Sequence, residues 1–207
     1  MRAVGTTVPS DPMSVEAIRR REVVAQEVGD LARRAFEKAR FDPYGLDPRW
    51  TGLRFYGGHG ESDGLVTRLT IGHRDGLGDP PTREIRVETI VGESDLARRL
   101  SQSFWNETGV LSDDVRRAVF PRTGGNVDPF ESWETIELPV DAATVQFRAL
   151  SHNDFWVAGR VTDLAAIAVR SRGWPADQTG LVTINDLKPY LEGAVENARR
   201  PRHRDHT

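Results

Sequence analysis

The chain has 207 residues and no cysteine. That excludes disulfides, thiol catalysis and thiolate metal sites together. Lysine is nearly absent as well: among 28 basic residues only Lys38 and Lys188 are not arginine, a bias that by itself carries no mechanism. No run of roughly 18 apolar residues is available to span a bilayer. The opening Met1-Arg2-Ala3-Val4-Gly5-Thr6 has no apolar stretch of signal-peptide length, so a cytoplasmic protein with no membrane partner is expected. Charge of neither sign dominates. A net charge of −3 and a pI of about 6.0 create no global field toward nucleic acid or anionic lipid.

Motifs of the common enzyme classes are missing too. There is no Gly-x-Ser-x-Gly elbow, no Gly-x-x-x-x-Gly-Lys loop and no Gly-x-Gly-x-x-Gly opening a helix after a strand. Gly57-Gly58-His59-Gly60 is glycine-rich but joins two strand patterns, so it has no helix dipole to offer a phosphate. No cofactor is expected.

What is present is a globular composition, 38% hydrophobic and 29% charged. The clearest pattern is a hairpin. Leu65, Thr67, Leu69 and Ile71 alternate on one face, as do Ile85, Val87, Thr89 and Val91. The Gly, Asp and Pro of residues 73–82 suit the turn between them. Before it, residues 50–57 read as a first strand and 58–64 as a tight connection, giving an antiparallel meander.

Residues 1–13 read as a mobile tail, 14–199 as a single α+β domain with a sub-boundary in the 121–130 linker, and 200–207 as a basic mobile tail. Residues 15–39 predict a long amphipathic helix with Val24, Val28, Leu31, Ala32, Ala35 and Ala39 on one stripe. It could pack on a sheet or form a homodimer. Ser94 and Ser112 each open a shorter helix. Strands are expected over 131–138, 144–150, 154–161 and 164–171, with Trp133 off phase, and a short one over 181–184. Asp186 opens a last helix carrying Leu187, Tyr190 and Leu191. The fold class expected is α+β: mainly antiparallel sheet, as one or two sub-sheets, with the long N-terminal helix, the central helix pair and the C-terminal helix packed against it.

Several groups could carry chemistry. His59, Glu61 and Asp63 place an imidazole and two carboxylates at alternate positions, which could converge on a divalent cation. His73 with Asp75 and Asp79 is a similar set. The same residue types also serve turns for backbone reasons. His152 beside Asp154 is raw material for a general base. The helix pair followed by strands has winged-helix order, but the second helix opens with Asp113 and Asp114, which would face phosphates. Trp156 lies out of phase with Phe155 and Val157, and would mark a pocket if exposed. Arg54, Arg68, Arg86, Arg148 and Arg160, with Glu84 and Glu88, fall on the polar phases of their strands. They suggest either a solvated sheet face or an arginine-lined surface for an acidic partner.

The sequence favours a non-catalytic binding or protein-interaction module whose partner is a protein or small molecule. Its candidate binding residues are His59, Glu61, Asp63, Trp156, Arg148 and Arg160. An enzyme or metal-binding protein using residues 59–63 or His152 and Asp154 is the alternative, and a DNA-binding regulator acting through residues 112–120 the second.

Overall fold

The computed structural model describes residues 15–47, 54–62, 64–74, 83–92, 95–120, 130 and 132–192. The chain runs α1 (Val15–Lys38), β1 (Tyr44–Leu46), β2 (Arg54–Ser62), β3 (Leu65–Arg74), β4 (Glu84–Ile90), α2 (Leu96–Thr108), α3 (Asp113–Val119), β5 (Glu134–Val140), β6 (Ala143–His152), β7 (Phe155–Val161), β8 (Ala166–Arg172) and β9 (Leu181–Thr183). A single 3-10 turn, Ala176–Gln178, precedes β9, and a helical segment begins at Lys188.

All nine strands form one sheet in the order β1-β9-β5-β6-β7-β8-β4-β3-β2. This corrects the expected mainly antiparallel α+β arrangement. The sheet is mixed, because β9 slots between β1 and β5 and meets β5 in parallel at Val140 and Leu181. It is also continuous: β4 pairs β8 over Ile90↔Ala166 to Glu84↔Arg172, joining the two expected sub-sheets. The long N-terminal helix packed along the sheet is corrected with it. Among the described side chains of α1, Ala35 and Phe36 in its last turns meet Val66 and Leu69. Val23, Val24 and Leu31 stand about half exposed. An amphipathic stripe specifies which side of a helix can be buried, not how much of it finds a partner.

The sheet curls. β1, at one edge, lies against β3 and β4 near the other. The Tyr44 amide donates to Thr89 Oγ1 at 2.8 Å, and a Cβ on Gly45 would stand 3.2 Å from Ile71 Cγ2. The inner face therefore encloses Ile85, Val87, Leu138, Phe147, Trp156, Ile167 and Val169. Ile85 and Val87 are fully buried, contributing about 1.5–3 kcal/mol each. β1 is three residues between prolines, too short to show a period, and β9 supplies its partners, Tyr44↔Thr183 to Leu46↔Leu181.

The hairpin registers are local and follow the pattern. Leu69↔Thr89, Ile71↔Val87 and His73↔Ile85 place the expected residues on the inner face. At the start of β3 the phase changes. Leu65 is exposed and Val66 buried, next to the register shift between Gly60 and Glu61 on β2. The turns at Asp141 and Asn153 hold those residues at φ 53°, a conformation Asn and Asp tolerate and two-residue hairpins need.

Candidate functional site

The outer face of the sheet is divided between two coverings. Over β7 lies α2. Gly159 lacks a side chain, and Leu96 and Leu100 close on it: a Cβ there would stand 2.5 Å from Leu100 Cδ1 and 2.9 Å from Leu96 Cδ2. Phe104 meets Phe155 with ring centroids 6.2 Å apart, and Val115 of α3 and Trp133 complete this apolar cluster. Ser112 caps α3 by accepting from the Val115 amide, so the helix pair is fixed locally.

Toward β4 and β3 the outer face turns polar, and α2 reaches it through Ile90, in its apolar cluster, and through Arg99. By register this half presents Arg170 and Arg172 of β8, then Glu84, Arg86 and Glu88 of β4, then Arg68, Thr70, Gly72 and Arg74 of β3. Arg86 stands directly opposite Arg170. Like charges so placed repel. Glu88 offsets them. Its carboxylate is 4% exposed, accepting from Arg99 Nη2 of α2 at 2.6 Å and lying 3.8 Å from Arg170 Nη2. Charge-assisted bonds of this kind hold a carboxylate that water does not reach. Glu84 pairs with Arg86 at 3.2 Å, and Arg172 reaches Glu107 of α2.

Arg68 is different. Among the described residues it has no ion-pair or hydrogen-bond partner, and its Nε is buried. Its stem lies over Gly60 of the edge strand β2: a Cβ on Gly60 would be 3.4 Å from both Arg68 Cβ and Nε. Among the described residues the half-face thus sets six guanidinium groups, Arg68, Arg74, Arg86, Arg99, Arg170 and Arg172, against three carboxylates, Glu84, Glu88 and Glu107.

The structure scatters the residues singled out from the sequence. The backbone of residues 58–62 continues β2 rather than forming a tight connection, so His59 lies in mid-strand opposite Leu69. The His59 side chain and Asp63 lie outside the described residues, as do Asp75 and Asp79. Glu61 is exposed, 3.9 Å from Lys38 Nζ. Trp156 is a core residue: its Nε1 donates to the Trp174 carbonyl at 2.6 Å, which also accepts from Ser171 Oγ. Arg83 stacks over the Trp174 ring at 5.0 Å. Arg148 and Arg160 do not share a face. Arg148 pairs opposite Gly159 and points outward, donating to Thr135 Oγ1 at 2.9 Å. Arg160, in phase with Trp156, donates to the Gln146 carbonyl at 3.3 Å.

His73 is not a turn residue. It ends β3 on the inner face, 4% exposed, with its ring 6.2 Å from Tyr190. Burial lowers its pKa to about 4. Burial, and then the charge of Asp47, raises that of Tyr190, whose hydroxyl donates to the Leu46 carbonyl. His152 and Asp154 are exposed at the β6–β7 turn. On α3, Arg117 is taken up by Asp114 at 2.6 Å.

The roles of Glu88, Arg99 and Arg170 went unread from the sequence. Arg86 and Glu88 signalled a polar phase, but their partners depend on the pairing of β4 with β8 and on the seat of α2. Comparison with known proteins adds nothing further: the chain matches no known family, and no curated protein or solved structure is similar to it.

Proposed function

We propose that this chain is a non-catalytic binding module whose ligand presents anionic groups to the arginine-lined half of the outer face. The observation that carries this reading is the excess of guanidinium over carboxylate around Glu88, in a chain whose net charge is −3. Arginine donates only and stays charged at any ordinary pH, so such a cluster recognises anions rather than moving protons. Arg99 and Arg170 are fixed by Glu88, and arginines fixed in advance lose less rotamer freedom on binding. Arg68 brings an uncompensated charge to the open side.

The test is a calorimetric titration with inorganic tripolyphosphate, a compact polyanion with no peptide backbone. Binding is expected, weakening as salt rises. The double variant Arg68→Gln, Arg86→Gln is expected to bind at least tenfold more weakly while keeping its urea midpoint. No binding at low salt, or equal binding by the variant, defeats the reading.

A further inference from the structure

Among the described residues, the arginine-lined half runs out to a sheet edge with no further strand. β2 stands last in the strand order, with β3 as its hydrogen-bonded neighbour in the sheet. It is nine residues long, with glycine at 57, 58 and 60. A strand at an edge presents a row of backbone donors and acceptors on its outer side. The other edge, β1, has three residues and lies against β3 and β4.

Along β3, Arg68, Thr70, Gly72 and Arg74 share the outer face, with Gly60 of β2 opposite Arg68. Because Gly60 has no side chain, the Arg68 stem lies over the β2 backbone. Arg68 and Arg74 are six residues apart, about 20 Å along a strand. That spacing fits acidic side chains at alternate positions of an extended segment.

We infer that the ligand is an extended acidic peptide of a partner protein, added antiparallel to β2 as a tenth strand with its carboxylates on the Arg68 side. This rests on the anion-binding reading above and names the ligand class. Main-chain hydrogen bonds would give affinity and alternate side chains specificity. A second copy of this chain is the poorer occupant. Antiparallel pairing of two β2 strands about a two-fold axis puts both outer faces on one side, so both sets of arginines would gather on one surface.

The experiment uses the full chain and a nine-residue peptide alternating Glu and Val, with a second version N-methylated at every other amide. Calorimetry gives affinity, and hydrogen exchange reads amides 54–62. The unmodified peptide should bind and slow exchange in β2, and the N-methylated version should bind at least tenfold more weakly. Equal affinity of the two peptides, or no change in β2 exchange on binding, overturns strand addition; if tripolyphosphate still binds, the anion-binding reading survives it. Failure of both peptide and tripolyphosphate defeats the two readings together. Concentration-dependent dimers by sedimentation, with β2 protected in the absence of peptide, would assign the edge to a second copy and also overturn the inference.

Discussion

The two halves of the outer face solve the same problem with different chemistry. Beneath α2 the sheet narrows to Gly159 and is sealed by Leu96, Leu100 and Phe104. Beyond α2, across β8, β4 and β3, it is covered by the stems of its own arginines. Glu88 shows how effective the second covering is: it is 4% exposed beneath Arg170 of the sheet and Arg99 from the flank of α2. Long guanidinium side chains cover surface with their methylenes while the charged heads face water or a partner. A leucine lid closes a face for good, whereas an arginine lid leaves it charged and able to rearrange around an incoming anion. Arg99, on the flank of α2, belongs to both halves and joins them.

The strongest way to break this comparison is to remove the counter-ion of the open half. Glu88→Gln removes the carboxylate that Arg99 and Arg170 share. The expected loss is about 3 kcal/mol by urea denaturation, with the arginines' partial exposure moderating the cost of an unpaired buried charge. Glu84→Gln removes a more exposed pair and should cost below about 1 kcal/mol. Equal effects would mean that Glu88 is not the centre of the cluster.

The inner face supplies a contrast of similar size that depends on pH. His73 titrates near 4 when folded against 6.5 when unfolded. Between those values the unfolded chain binds more protons, so stability falls as pH drops from about 6.5 to about 4 and is fully present above that window. The full loss is roughly 3 kcal/mol, from 1.36 kcal/mol per unit. His73→Leu should flatten this part of the stability profile measured by denaturant titration; an unchanged slope would place the acid sensitivity elsewhere. On the covered half, Gly159→Ala drives a methyl into Leu100 and Leu96. Overpacking of this kind costs about 2 kcal/mol, read as a lower urea midpoint. A neutral result would mean that α2 is seated more loosely than the arginine half.

How much of this was legible in the sequence follows from the range of the contacts. The β3–β4 hairpin and the strands from β5 to β8 pair with chain neighbours, and local signals predict them: alternation for most, β-branched content for β8. Trp133 was correctly out of phase: it packs against the outer cluster, while Ile136 and Leu138 face inward. What failed was long range. β1 and β9 are three residues each and exist through each other across more than 130 residues of chain. Alternation also cannot say which of two phases is covered. Arg148 and Arg160, twelve positions apart in sequence, looked like one surface because each was polar in its own strand. Register puts them on opposite sides. Glu88 read as a solvated residue because nothing local announces that Arg99 and Arg170 will close over it.

The smallest expected effects sharpen the comparison most. Arg148 is exposed, donates to Thr135 and lies on the outer face, but on β6, on the far side of α2 from Glu88. Arg160 is exposed on the other face. Alanine at either should change stability by less than about 0.5 kcal/mol, as for surface sites without special roles. Tripolyphosphate affinity should stay within about twofold for both, because charges separated by more than a Debye length of roughly 10 Å at moderate salt are screened from one another. If Arg148→Ala weakens binding as much as Arg68→Gln while Arg160→Ala does not, the ligand crosses beneath or around α2, and the two halves act as one surface. If Arg148→Ala and Arg160→Ala weaken it equally, binding follows net charge alone, and the arrangement around Glu88 confers no selectivity.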